Sequence, residues 1–201
     1  MLDIEKFRDA HESRRTPTEG VTLVAFYSHD KPKSLSDLTH RVADGLSQNL
    51  HEYSGLLRPY KDWLHATICG LEGAKDNQGE IVTESMKSRA KKKSEQVLSF
   101  AIEEFLAYLR EYNWPITFRF GGCHCDDENP YDRDRKPWGR TYEVCSDGLA
   151  VLMGWPLGHD GQPFSGDIDR LRADLRKFGV VHKYHIPKDP KHEPVDNDLR
   201  A

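Results

Sequence analysis

Apolar residues recur along this chain in short blocks, and the spacing inside each block predicts alternating strands and helices. Val21-Thr-Leu-Val-Ala-Phe-Tyr27 is rich in β-branched and aromatic residues and predicts a strand buried on both faces. Ser34 then stands at the cap position of a helix whose apolar residues Leu35, Leu38, Val42, Leu46 and Leu50 recur at three- and four-residue steps. Gly55 and Pro59 mark a loop before Trp63-Leu-His-Ala-Thr-Ile-Cys-Gly70, where apolar and polar positions alternate as in a strand. Residues 72–93 are charged and loop-like. Ser94 is placed to cap the longest apolar stripe, Val97, Leu98, Ala101, Ile102, Phe105, Leu109 and Tyr112. Ile116–Phe120 alternates as a strand. Arg140–Cys145 and Leu149–Trp155 predict two more, joined by the Ser146-Asp147-Gly148 turn. Ile168, Leu171, Leu175 and Phe178 predict a short helix stopped by Gly179, and Val180–Ile186 predicts the last strand.

The order is strand, helix, strand, helix, strand, followed by strand, strand, helix, strand. Each half ends a helix in a strand that carries histidine. The expected fold is therefore α/β in the α+β sense: two pseudo-symmetric lobes of mostly antiparallel sheet, helices outside, around a central cleft. Residues 1–19 read as a polar N-terminal arm and 20–187 as one bilobal domain. Residues 188–201, with their prolines and charges, read as an extended or disordered tail.

Composition narrows the classes. The 201 residues are 37% hydrophobic and 31% charged, enough for a core under a polar surface. A formal net charge of −4 gives no global attraction for nucleic acid, so any anion site must be local. No apolar run has the length of a membrane span, and the N-terminus is charged from its third residue, so neither membrane nor signal peptide is expected. Four cysteines in a chain this long do not make a disulfide framework, which favours a reducing cytoplasm.

The candidate chemistry centres on His65 and Thr67. Two residues apart in a strand, they share a face, while Leu64, Ala66 and Ile68 fill the other. An imidazole next to a hydroxyl suits handling of a phosphate or acyl group. The ordinary alternative is a core histidine held by hydrogen bonds. His11-Glu-Ser13 has the same H-x-S form but lies in the charged arm, without strand character.

Leu64-His-Ala-Thr-Ile68, within α/β halves spanning about residues 20–187, resembles the two-histidine (2H) phosphoesterase superfamily, which includes the 2′,5′ RNA ligase-like proteins and cyclic nucleotide phosphodiesterases. The resemblance implies two related lobes, each lending one H-x-T/S strand to a cleft. It makes His65 a general acid or base and Thr67 a phosphate hydrogen-bond donor. The implied activity is metal-independent hydrolysis of a phosphodiester in RNA ends (a 2′,3′-cyclic phosphate or 2′,5′ linkage) or in cyclic or oligo-nucleotides, with no cofactor. No second H-x-T or H-x-S lies in a strand. His182-Lys-Tyr-His185 stands where it is expected, and alternation offers either His182 with Tyr184 or Lys183 with His185. The second half-site is a variant on one of those faces, or it is degenerate and the activity is lost, or this chain stops before a later motif that supplies it.

Arg140, with its fork of donors, is the best positive residue for a phosphate. Trp155 is placed at a strand end where it lines a cleft or simply packs. The alternative from another class is a non-catalytic RNA or nucleotide reader on the same scaffold, with Trp138, Arg140, Lys91 and Lys92 carrying affinity. Cys123-His124-Cys125 contains zinc-ligand types, but it lacks the spaced second pair of a closed zinc site, and neighbouring ligands do not easily converge on one ion. No metal site is expected.

Overall fold

The computed structural model describes residues 22–26, 33–49, 65–112, 116–132, 136–144, 150–158 and 162–200. Its elements in chain order are β1 (Thr22–Phe26), α1 (Lys33–Asn49), β2 (His65–Gly70), β3 (Gly73–Lys75), β4 (Ile81–Thr83), α2 (Glu84–Lys93) and α3 (Ile102–Glu111). After these come β5 (Phe118–Phe120), β6 (Tyr142–Val144), β7 (Ala150–Pro156), α4 (Asp167–Asp174) and β8 (Leu199–Arg200). The mixture of helix and antiparallel sheet agrees with the α+β expectation. Every strand pairing is antiparallel, in the order β1-β2-β8-β7-β5, with β6 also on β7 and β3-β4 a separate hairpin. No helix of the described residues is long and apolar enough to cross a membrane.

The two sheet faces carry separate apolar clusters. Ala66 and Ile68 of β2 and Leu199 of β8 pack with Phe105 of α3 and with Ile168 and Leu171 of α4, so one sheet face carries these helices. Met153 and Trp155 of β7 pack with Cys123 and Phe164 in a second cluster on the other face. Residues directly opposite across an antiparallel pair share a face. The register Thr67↔Arg200↔Met153 therefore puts Thr67 and position 200 on that second face, and His65 joins them by parity.

Several expectations are corrected. Among the described residues β1 is an edge strand with half-buried Leu23, Val24 and Ala25, not a strand buried on both faces. Residues 72–93 are not a loop. Asp76 Oδ1 accepts the amides of Gln78 and Glu80 to turn the β3-β4 hairpin, and Thr83 caps α2 by accepting Met86 N. The charged α2 buries a narrow stripe, Met86 and Ala90, against Val82 and Val181. Ser94 ends α2 in the left-handed region (φ 56°) and does not begin α3. Val180–Ile186 is not a strand. Gly179, left-handed at φ 75°, closes the helical turn after α4, and Lys183–His185 forms a single 3-10 turn.

The largest correction concerns the tail. Residues 196–199 are neither loose nor solvated. Asp196, Asn197, Asp198 and Leu199 are all buried, and β8 is the sheet's central strand, between β2 and β7. The arm 1–19, the 55–59 loop and the Ser146-Asp147-Gly148 turn lie outside the described residues.

Candidate functional site on the β2–β8 pair

β2 is held in place by what packs beneath it. Arg172 on α4, 2% exposed, donates through Nε to Ile68 O (2.8 Å) and through a terminal nitrogen to Thr67 O (3.3 Å). Its other terminal nitrogen donates to Asp196 O (2.8 Å) and Oδ2 (2.9 Å). One guanidinium thus ties β2 to the segment that leads into β8. This is a fork geometry lysine does not reproduce. Asn197 anchors the same segment, accepting Asp169 N through its side-chain oxygen and donating to Ser165 O.

On the second face, His65 is exposed and Thr67 half-buried, as expected for a strand that is core on one side only. Position 200 of β8 lies directly opposite Thr67. The local sequences echo each other: Leu64-His65-Ala66 in one strand, Leu199-Arg200-Ala201 in the other. In this sequence echo Arg200 stands in the β8 tripeptide where histidine stands in the β2 tripeptide. Sequence reasoning passed over Arg200 because it sat in an apparent tail. The three-residue echo was the available signal, and the pairing register gives it meaning.

A buried ion cluster includes Asp198, two residues before Arg200. The Arg140 guanidinium bonds both Asp132 and Asp198, and both carboxylates are almost wholly enclosed. Burial works against the charge on Arg140, but Asp198 and Asp132 outweigh it and raise its pKa. Burial likewise raises the Asp132 carboxyl against the pull of Arg140. Arg140 is therefore a structural cation engaged by two carboxylates, which corrects its expected role as a phosphate donor. Trp155, fully buried with Met153, Cys123 and Phe164, is packing and does not line a cleft.

His182 and His185 are also relocated. They flank the 3-10 turn, 5% and 1% exposed, with His182 Nε2 3.1 Å from Asp196 Oδ2 and His185 Nε2 2.9 Å from Asp169 Oδ1. Both partners belong to α4 or to the strap Arg172 holds at the Thr67–Ile68 carbonyls, on the helix-bearing face. Neither histidine is brought to the face that carries His65. The strand whose faces were to create the His182-with-Tyr184 and Lys183-with-His185 pairings is replaced by the 3-10 turn, across which the His182 and Tyr184 rings still meet with centroids 5.5 Å apart. Lys183 is exposed, its Nζ 4.9 Å from the centroid of the half-buried Tyr184 ring. Burial makes Asp169 harder to ionise, but the His185 hydrogen bond and the Asp196 amide prevail and hold its carboxyl below the ordinary range.

Burial, then the Arg172 and His185 charges, push His182 down from 6.5 to about 2. The folded chain keeps this ring neutral while the unfolded chain protonates it below pH 6.5, so acid favours unfolding. Between pH 6.5 and 5, that one group should remove about 2 kcal/mol of stability. Denaturant midpoints measured across this window check it, and His182→Gln should flatten the slope. An equal slope in that variant would contradict the assignment.

Comparison with protein-family models, with curated proteins and with solved structures returns no match to this chain.

Proposed function

We propose that the chain is a metal-independent phosphodiesterase acting on RNA ends or on cyclic or oligo-nucleotides, in the manner of the 2H phosphoesterases, with its site on the second face of the β2–β8 pair. In this reading β2 and β8 belong to the two halves of a bilobal domain, and the cleft lies above their shared face. His65 is the general base, Thr67 donates to a nonbridging phosphate oxygen, and Arg200 replaces the second histidine.

One observation carries the reading: the antiparallel register that puts Arg200 opposite Thr67, one strand away from His65. For a 2′,3′-cyclic phosphate, His65 takes a proton from water as its oxygen bonds to phosphorus. The bond to one ribose oxygen breaks, and that oxygen receives a proton from the imidazolium or from solvent. Thr67 and the fixed positive charge of Arg200 stabilise the charge that develops on the nonbridging oxygens.

The test is hydrolysis of an oligoribonucleotide ending in 2′,3′-cyclic phosphate, with chelator present, by the native chain and by His65→Ala. Turnover by the native chain and its loss in the variant support the reading, and equal turnover by the two overturns it. A second reading, a non-catalytic RNA or nucleotide reader, is favoured by a specific feature. The residue opposite Thr67 is an arginine, which holds an anion but does not cycle a proton at neutral pH. That reading expects salt-dependent binding, no turnover, and indifference to His65→Ala.

A further inference from the structure

The loop that follows β5 carries three ligand-type side chains with no part in the site above. Its base is fixed. Gly121 and Gly122 take left-handed conformations (φ 69° and 65°), the Arg119 side chain donates to both their carbonyls, and Cys123 is buried against Met153, Trp155 and Phe164. Its tip is a closed turn. Asp127 N donates to His124 O (3.0 Å), and the Asp127 carboxylate accepts His124 N (2.7 Å). Within this turn the side chains of His124, Cys125 and Asp126 project together into solvent, their ligand atoms all within 4.8 Å of one another. The objection that consecutive residues do not converge on one ion fails here, because the turn curls the backbone around them.

The distances have a further meaning. His124 Nδ1 lies 3.6 Å from Cys125 Sγ and 3.4 Å from Asp126 Oδ2. Zinc bonds of about 2.3 Å to sulfur and about 2.0–2.1 Å to nitrogen and oxygen, at tetrahedral angles, require edges of about 3.5 Å for S···N and about 3.3 Å for N···O. These two of the three separations match those edges to about a tenth of an ångström, and the third, between Cys125 and Asp126, lies within 4.8 Å. A thiolate, an imidazole and one carboxylate suit zinc and are poor for magnesium or calcium, which prefer oxygen ligands alone.

We propose that His124, Cys125 and Asp126 form a surface Zn2+ site, with three protein ligands and a fourth position open to water. On binding, the Cys125 S–H proton passes to solvent and the sulfur's electron pair goes to the metal, so uptake is proton-linked and weakens with acid. Cys123 takes no part. Its sulfur lies 3.8 Å from Gly121 O and the residue is buried against Met153, Trp155 and Phe164. The site is independent of the His65 reading, and neither stands or falls with the other.

The experiment uses the full chain, reduced and metal-free, titrated with Co2+ as the spectroscopic probe and then with Zn2+ against a chromophoric chelator. The expected result is one equivalent of Co2+ with the intense visible bands of tetrahedral coordination and a sulfur-to-cobalt charge-transfer band. Cys125→Ser should abolish the charge-transfer band, and it should weaken Zn2+ binding by at least about tenfold, as removal of the soft ligand requires. His124→Ala should also weaken binding, while Cys123→Ser should keep both band and affinity. Since His124 and Cys125 are exposed, Cys125→Ser and His124→Ala should fold as the native chain does, and circular dichroism checks this for all three variants. A native chain that leaves Co2+ octahedral overturns the proposal. So does a charge-transfer band that survives Cys125→Ser.

Discussion

His65→Ala is expected to slow hydrolysis of a 2′,3′-cyclic phosphate by about 10²- to 10⁴-fold, the usual contribution of a positioned acid–base group. The ring is exposed at the start of β2, so its removal opens no core cavity and stability should stay within about 0.5 kcal/mol of native. The pH–rate profile should show a single ionisation. Two histidines acting as acid and base would give a bell, whereas Arg200 remains charged throughout the working range. A full bell, or a variant that keeps its rate, would count against a site with one titrating residue.

Arg172→Ala is expected to destabilise the fold by about 3–5 kcal/mol, the range for stranding a buried charge. Without the guanidinium, the Thr67 and Ile68 carbonyls and the wholly buried Asp196 carboxylate lose the donors that satisfy them. The central β2–β8 pair then loses its clamp. For a domain of this size the loss corresponds to a fall of about 10 °C or more in Tm. Arg172→Lys keeps the charge without the fork and should fall between the two. Denaturant unfolding checks both variants. A change below about 1 kcal/mol for the alanine variant would show that the clamp is dispensable.

Much of the scaffold was legible because it obeys local rules. The alternation in Leu64–Ile68 marks β2, β6 and β7 fall in the two runs that flank Asp147-Gly148 in the sequence, and the Ile168, Leu171, Leu175 stripe with Gly179 marks α4 and its end. What was hidden depends on partners far along the chain. Asp196-Asn197-Asp198 has the composition of a solvated tail, yet each side chain is buried: Asp196 against Arg172, Asn197 against Ser165 and Asp169, Asp198 against Arg140. No local pattern announces that a polar tripeptide leads into the central strand.

The site was misread for the same reason. His182 and His185 follow the buried pair Val180-Val181, which mimics a strand, but β8 already fills the place beside β2. The histidines turn instead toward carboxylates on α4 and on the strap. Arg140 was singled out for a phosphate, and its guanidinium is engaged instead by Asp132 and Asp198. The face shared by His65 and Thr67 came from alternation alone, and the burial of Ala66 and Ile68 beneath them agrees with it.

The central claim is that β8 supplies the second half of the site at Arg200. Its most direct test is the rate of cyclic-phosphate hydrolysis, in chelated buffer, by Arg200→Gln beside the native chain. The account predicts a fall of at least about tenfold in a variant whose circular dichroism shows it folded, as loss of a charge that stabilises the transition state requires. A native chain that does not open the ester, or an Arg200→Gln chain that opens it at the native rate, would contradict the account.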